Sequence, residues 1–499
     1  MSLAVWVLAA VLVTVLARRW KSSSRALPPG PTPVPILGNV LDLQAKELWL
    51  VAEKWAKKFG DVAYLHVVGQ GLVFVSLLHC PEATMDLLDK KGSIYGDKPS
   101  LVMAGELCGC DNMVAFTRYG DTSKRQRKLI NQAFGVQVIP AYHPLIEAET
   151  HSFIRSIIAD PSNYIAHARR YAGGMTLSVV YGYEATGNND KFLNLGEECV
   201  DLLSNKIASG GGIRLPTWAP GSGFLTKAAQ WKAKMDEFVD RPYEFVKASL
   251  KSGNYVPSFC SMLLEDEKKC TPQFEFDLKQ TANSMYSASM DTTITVFSHF
   301  LLAMVLHPEV LIKAQKEIDS VVGTDRLPTF SDRASLPFVE AVLSEVYRWG
   351  VSLPHRLMED DVYRGMFIPK GSLIFGNVWA ITRDETLFPN ASAFLPERYL
   401  EKVEPALAKK RDPRRYVFGF GRRRCPGVNL VESSVWILIT SVLATLDISK
   451  AKDAFGNPVE PKIDFNNSVF RMPDRFDCDI RPRSEQSLKL LRQAEADRS

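Results

Sequence analysis

Residues 418–427 read FGFGRRRCPG, one cysteine behind two glycines and three arginines and ahead of a proline and a third glycine. Pro426 suits the first position of a helix, because the N–H it lacks is one that a helix start leaves unbonded anyway. The following VNLVESSVWILITSVLATL is apolar on nearly all sides, the pattern of a helix buried in a core. Cys425 is therefore expected at a helix amino terminus, where free N–H groups and the positive dipole end favour a thiolate over a thiol. Gly421 and Gly427 let the backbone turn tightly and approach a flat partner closely. A sulfur so placed serves as a nucleophile or as a metal ligand. A nucleophile needs a base, and the nearest histidine in sequence, His355, lies far upstream with no protease or transferase signature around it. Metal ligation fits better. Taken alone, the loop is also compatible with a basic nucleic-acid turn or a structural cysteine.

Composition narrows these options. The 499 residues are 46% apolar and 23% charged, ordinary for a globular protein with a large core, and no repeat or low-complexity tract divides them. A net charge of +4 is small for this length and argues against nucleic acid as a partner. The eight cysteines include no C-x-x-C pair and are too sparse for a disulfide scaffold, which fits a reducing compartment. Residues 1–17, MSLAVWVLAAVLVTVLA, are uncharged and are followed by Arg18, Arg19 and Lys21. A signal peptide carries its positive charge before the apolar run, so the segment reads as an uncleaved transmembrane anchor. The basic flank then holds the rest of the chain in the cytosol, single-pass on a thin membrane such as the endoplasmic reticulum.

A basic flank and proline-rich hinge cover residues 18–40, with five prolines between Leu27 and Val40 that exclude regular helix. Residues 41–499 are expected to form the folded body. DVAYLHVV and LVFVSLL, around Gly69 and Gly71, predict a hairpin. Helical periodicity then dominates, at Pro81 to Lys91, Arg125 to Ala133, Asp277 to His307 and Pro337 to Trp349. Short β runs return between Leu353 and Asn377 and near the carboxyl end. The final SEQSLKLLRQAEADRS is polar and expected to be peripheral. The fold class is mainly α with small β-sheets.

The pattern F-x-x-G-x-R-x-C-x-G, filled by Phe418, Gly421, Arg423, Cys425 and Gly427, resembles the haem-thiolate loop of the cytochrome P450 family. Glu345-Val-Tyr-Arg348 matches that family's E-x-x-R helix, and Phe394-Leu-Pro-Glu-Arg398 its F-x-P-E-R segment, in the family's order. The resemblance spans essentially the whole chain, including the anchor and hinge of microsomal members, and DVYRGMFIPKG looks fungal. On residues alone, Glu345 and Arg348 share a helix face flanked by Val342, Leu343 and Val346. A buried pair there needs further partners, and Arg398 can complete a three-way network. The resemblance makes this triad structural.

What the family implies follows from these matches. Cys425 would be the axial ligand of haem b (iron protoporphyrin IX), with Phe418 in the same loop. Arg127, Arg423 and His355 would meet the propionates, which need fixed cations or donors. The family's W-x-x-x-R keeps its arginine at Arg127 but has Ser123 in place of tryptophan. Ala288-Ser-Met-Asp-Thr-Thr293 resembles the oxygen-activation motif, with Ser289 where glycine is usual. Thr292 would hydrogen-bond the oxygen being activated, and Asp291 would relay protons from solvent. The activity implied is monooxygenation of a small apolar substrate. Electrons would come from NADPH through a separate NADPH–cytochrome P450 reductase, with cytochrome b5 as a further donor. Residues 101–116, 285–292 and 467–469 would shape the pocket, and the fungal look suggests secondary metabolism such as a terpenoid. The rivals are a peroxide-using or isomerising haem-thiolate enzyme and a non-catalytic haem-binding protein, the last disfavoured by Asp291 and Thr292.

Overall fold

Between Thr271 and His307 the chain keeps helical register for 35 residues, about 52 Å at 1.5 Å per residue. This computed structural model describes residues 26–35, 38–43, 47–69, 71–78, 80–99, 101–187, 189–207, 222–266, 268, 270–349, 355–465 and 471–496, without the side chains of 68–69 and 71–78. The expected anchor, the basic flank and pocket positions 467–469 lie outside the described residues. The chain falls into two compact units, Met1–Asp97 with Pro354–Asn377, and Lys98–Leu353 with Val378–Ser499.

In the first unit, helix α1 (Leu48–Phe59) lays Ala52 and Trp55 on Ala63 and Leu65 of strand β1. Strands β1 (Val62–Gly69) and β2 (Gly71–Leu78) form the predicted hairpin, in register from Val62↔Leu78 to Gly69↔Gly71. Of the later strands β3 (His355–Arg356), β4 (Asp361–Tyr363), β5 (Met366–Ile368) and β6 (Leu373–Gly376), β6 joins β2 in parallel and β3 pairs antiparallel with β6. The sheet order is β1-β2-β6-β3, and β4 and β5 form a separate hairpin.

The second unit is helical. Its elements are α2 (Asp121–Phe134), α3 (His143–Ala159), α4 (Tyr164–Tyr181), α5 (Lys191–Asp201), α6 (Phe224–Ser252), α7 (Pro272–Leu306), α8 (Pro308–Val321), α9 (Pro337–Tyr347), α10 (Val428–Thr445) and α11 (Glu485–Ala496), with a ribbon of β7 (Leu446–Lys450) and β8 (Cys478–Pro482). Helix α7 is the central member. The Thr271 side chain caps its first turn by accepting from the Phe274 N–H, and Pro272 occupies the first helical position. Gly196 of α5 permits close approach, since a Cβ there would stand 2.5 Å from the Tyr286 hydroxyl of α7. By length and composition α7 and α10 could each cross a membrane, but most of each is buried in this unit as core.

Several boundaries differ from expectation. Helix α7 begins at Pro272 rather than Asp277, because the Thr271 cap recruits a turn that apolar periodicity does not mark. The helix at Pro81 widens into a π-turn from Met85 to Lys90. Helix α10 starts at Val428, leaving Cys425 and Pro426 in the turn before it. The carboxyl-terminal segment is the helix α11, and it buries Leu491.

Candidate active site

The cysteine loop is shaped by two glycines in the left-handed region, Gly419 (φ 75°) and Gly421 (φ 48°), where an L side chain is strained. Gly427, expected to do the same, has an ordinary φ of −90°. Its distinction is position, since a Cβ there would lie 4.0 Å from Cys425 Sγ and from a ring carbon of Phe134. The Cys425 N–H closes the loop on the Phe418 carbonyl at 2.7 Å, and the Phe418 ring packs edge-on against Tyr347. Helix α2 fastens the loop from one side. Arg423 is buried and donates to Ser123 Oγ at 3.0 Å and the Thr117 carbonyl at 2.6 Å. Arg127 donates to the Arg424 carbonyl, Arg422 to the Tyr119 hydroxyl, and Asn429 to the Phe134 carbonyl at 2.9 Å. The hydroxyl of Ser123 thus supplies the acceptor that Arg423 needs.

Burial pushes the Cys425 thiol up, while the Gly427 N–H and the guanidiniums of Arg127 and Arg424 pull it down. The net direction is upward, against the expectation that the helix end alone favours the thiolate. Burial is the larger influence, and because the helix opens three residues later Cys425 receives one N–H rather than a full terminus to oppose it. A metal cation bound at the sulfur would favour its anionic form.

Around Asp291 the buried helix α7 has a polar middle. Ala288 is exposed and Ser289, Asp291 and Thr292 are half-buried, within a helix otherwise enclosed along most of its length. Thr292 Oγ1 donates to the Ala288 carbonyl at 2.7 Å. Ser289 Oγ donates to the Tyr286 carbonyl at 2.8 Å and reaches the Ala172 carbonyl of α4 at 3.5 Å. The extra hydroxyl is therefore spent on its own helix and α4. Asp291 accepts from Ser204 Oγ at 3.0 Å, and burial raises its carboxyl above the usual range.

Glu345, Arg348 and Arg398 are brought together as expected, all buried. Arg348 binds Glu345 at 2.9 and 2.8 Å and spends its remaining donors on the carbonyls of Thr382, Ala391 and Ala393. Arg398 Nε lies 3.3 Å from Glu345 and donates to the Pro389 and Asn390 carbonyls. Two further partners of Glu345 are the Tyr399 hydroxyl at 3.0 Å and the Leu395 N–H at 2.9 Å. A second network, which no sequence motif marks, joins Arg414 to Glu340, Ser344 and Glu432, with Arg333 bridging Glu340 and Glu432. His355 belongs to the first unit, buried in β3 with Nδ1 3.1 Å from the Tyr95 carbonyl.

The donor set suits a haem. Among the described residues no three His, Cys, Asp or Glu side chains cluster for a bare ion. A lone sulfur is sufficient where a macrocycle already supplies the other ligands. Comparison with known proteins points the same way. The family model for cytochrome P450 matches residues 28–474. The chain is 38% identical to the cytochrome P450 monooxygenase claT of Ampulloclitocybe clavipes, across 97% of both chains. It is 39% identical to claR of that fungus, over 94% of this chain and 88% of the relative, and 36% identical to the monooxygenase COX1 of Coprinopsis cinerea over 97% of each. A helical body with small sheets, a tethered cysteine loop, a buried E-x-x-R triad and this match over nearly the full length establish that the chain belongs to the cytochrome P450 family.

Proposed function

We propose that the protein is a membrane-anchored monooxygenase that places one atom of dioxygen in a small apolar molecule, hydroxylation being the default outcome. The other atom leaves as water, with two electrons and a proton from NADPH and a second proton from solvent balancing the reaction. Haem b held through Cys425 would supply the cleavage of the O–O bond. Arg127, Arg423 and His355 are assigned to its propionates, Phe418 to the loop beside the sulfur, and Glu345, Arg348 and Arg398 to the scaffold. Asp291 takes protons from solvent, and Thr292 orients the oxygen that receives them. A separate reductase is the electron source and cytochrome b5 an auxiliary one. The exposed basic residues of α2, such as Lys128, offer such a partner a positive face. Residues 1–17 anchor the chain in the endoplasmic reticulum membrane, 18–40 form the hinge, and 41–499 the cytosolic catalytic body. The fungal look of DVYRGMFIPKG, residues 361–371, supports a secondary metabolite, such as a terpenoid, as substrate.

The observation that carries this reading is the Cys425 thiol on a loop fastened to α2 by Arg423, Arg127 and Asn429. The test is turnover of fungal metabolite extracts by anchored protein, reductase and NADPH under labelled dioxygen, read by product mass. A product carrying one labelled oxygen is expected. Asp291→Asn and Thr292→Ala should each lower product per NADPH by about a hundredfold while the reduced carbon monoxide spectrum survives. Product from peroxide alone, with none from NADPH and reductase, would overturn the proposal in favour of a peroxygenase.

A further inference from the structure

The Asp291 carboxyl is held by a side chain that no motif announces. Ser204 is buried in a π-helical turn, Leu202–Ile207, that continues α5. Its hydroxyl donates to Asp291 Oδ2 at 3.0 Å across 87 residues of sequence. Widened turns of this kind are rare and cluster at functional sites. Among the described residues Oδ1 of the same carboxyl has no hydrogen-bond partner. One oxygen is held and the other is open.

Direction matters as well. Consecutive residues on an α-helix diverge by about 100°. Thr292 turns its hydroxyl back to the Ala288 carbonyl, while Asp291 faces α4 and α5. The charged groups around it there are Arg169 of α4, which favours the carboxylate, and Glu197 and Asp201 of α5, which disfavour it. Arg169 is already committed to Glu197 at 2.8 Å. The Ser204 hydroxyl is therefore the direct donor to this carboxyl, in a place where burial works against its charge.

We propose that Ser204 is a positioning residue that fixes the Asp291 carboxyl through Oδ2 and leaves Oδ1 as the atom where protons arrive from water and depart toward the site. The Ser204 proton itself stays on Oγ, so no charge accumulates. The inference rests on the assignment of Asp291 as the relay acid in the proposed reaction.

Ser204→Ala, Ser204→Thr and Asp291→Asn in the full-length holoprotein test it, by pH–rate profiles with reductase and NADPH and by thermal melts from pH 5 to 8. The limb assigned to Asp291, absent in Asp291→Asn, should move up by about one pH unit in Ser204→Ala, because a donor to the charged form is lost. Ser204→Thr should restore it. The melts carry a sign of their own. Burial already raises the folded-state pKa of Asp291, so its ionisation costs stability as pH rises, and losing Ser204 extends that loss upward in pH. The melting deficit of Ser204→Ala should thus be larger at pH 8 than at pH 5, and should lose its pH dependence in the Asp291→Asn background. An unmoved limb with turnover intact, or a deficit equal at every pH, would overturn the role of Ser204. Where Ser204→Ala does not accumulate, Ser204→Cys, a weaker donor of similar size, must give a smaller shift of the same sign. A wild type that makes no product counts against the proposed reaction alone, and the melts still decide on Ser204.

Discussion

A buried guanidinium sets the strictest terms in this site. Arg423 has exchanged water for the Ser123 hydroxyl and the Thr117 carbonyl, so Ser123→Ala strands a charged donor at a cost of about 1–3 kcal/mol. We expect a lower melting temperature and faster haem loss, followed by absorbance. Ser123→Trp, which restores the residue usual in the family, should be worse than alanine. Ser123 is only 1% exposed, and an indole cannot enter without displacing its neighbours. A second residue sets a pH limit. Burial brings His299 down to about 4, with Arg471 and Arg383 adding to the effect, and its Nε2 has no hydrogen-bond partner among the described residues. Because the unfolded chain protonates near 6.5, stability attributable to the neutral ring is present above that pH and is lost as pH falls toward 4, by up to about 3 kcal/mol. His299→Gln should flatten the acid limb of the melting curve across that window, and an unchanged slope would remove His299 as its cause.

At the scale of the element, α7 explains what a linear pattern can and cannot disclose. The polar interruption Ser289-Met-Asp-Thr is visible in sequence because those residue types are costly in a buried helix. The partners that satisfy them are not, since Ser204 and Ala172 are 87 and 117 residues away. The same division holds elsewhere. The hairpin of β1 and β2 and the i, i+3 contact of Glu345 with Arg348 are local and were legible. The parallel pairing of β2 with β6, the Ser123–Arg423 bond and the Arg414 network are long-range and were not. Cap chemistry outweighed periodicity at Thr271, and a turn displaced the helix start from Pro426 to Val428. The departure at Ser289 can now be weighed. Its hydroxyl faces Tyr286 and Ala172, so Ser289→Gly should leave product per NADPH unchanged. It should lower the melting temperature by roughly 1–2 °C through helix propensity and the lost hydroxyl bonds to the Tyr286 and Ala172 carbonyls. A change in coupling would mean that the hydroxyl reaches the site after all.

For the molecule as a whole, two apolar helices of span-like composition must be kept distinct from the segment expected to cross the membrane. Helix α10 has 72% of its most apolar window buried, and Leu438 at its centre has no exposed surface. A charge there must be desolvated inside a close-packed core, so Leu438→Asp should yield no folded holoprotein. The triad behaves alike, because Arg348→Lys cannot reproduce bonds to Glu345 and three carbonyls at once. It should cost about 3–5 kcal/mol and abolish the carbon monoxide spectrum. Charges at Leu8 and Leu12 have a different consequence. Each aspartate in the middle of a spanning helix costs roughly 2.5–3.5 kcal/mol of insertion, so the pair should release the protein from carbonate-washed membranes. The core clusters of the described residues are built from Ala52 onward, and the spectrum should survive. Release with the spectrum intact for Leu8→Asp/Leu12→Asp, and loss of the spectrum for Leu438→Asp, would separate anchor from core. Retention of the double variant in the pellet would mean that another surface of the protein holds it to the membrane.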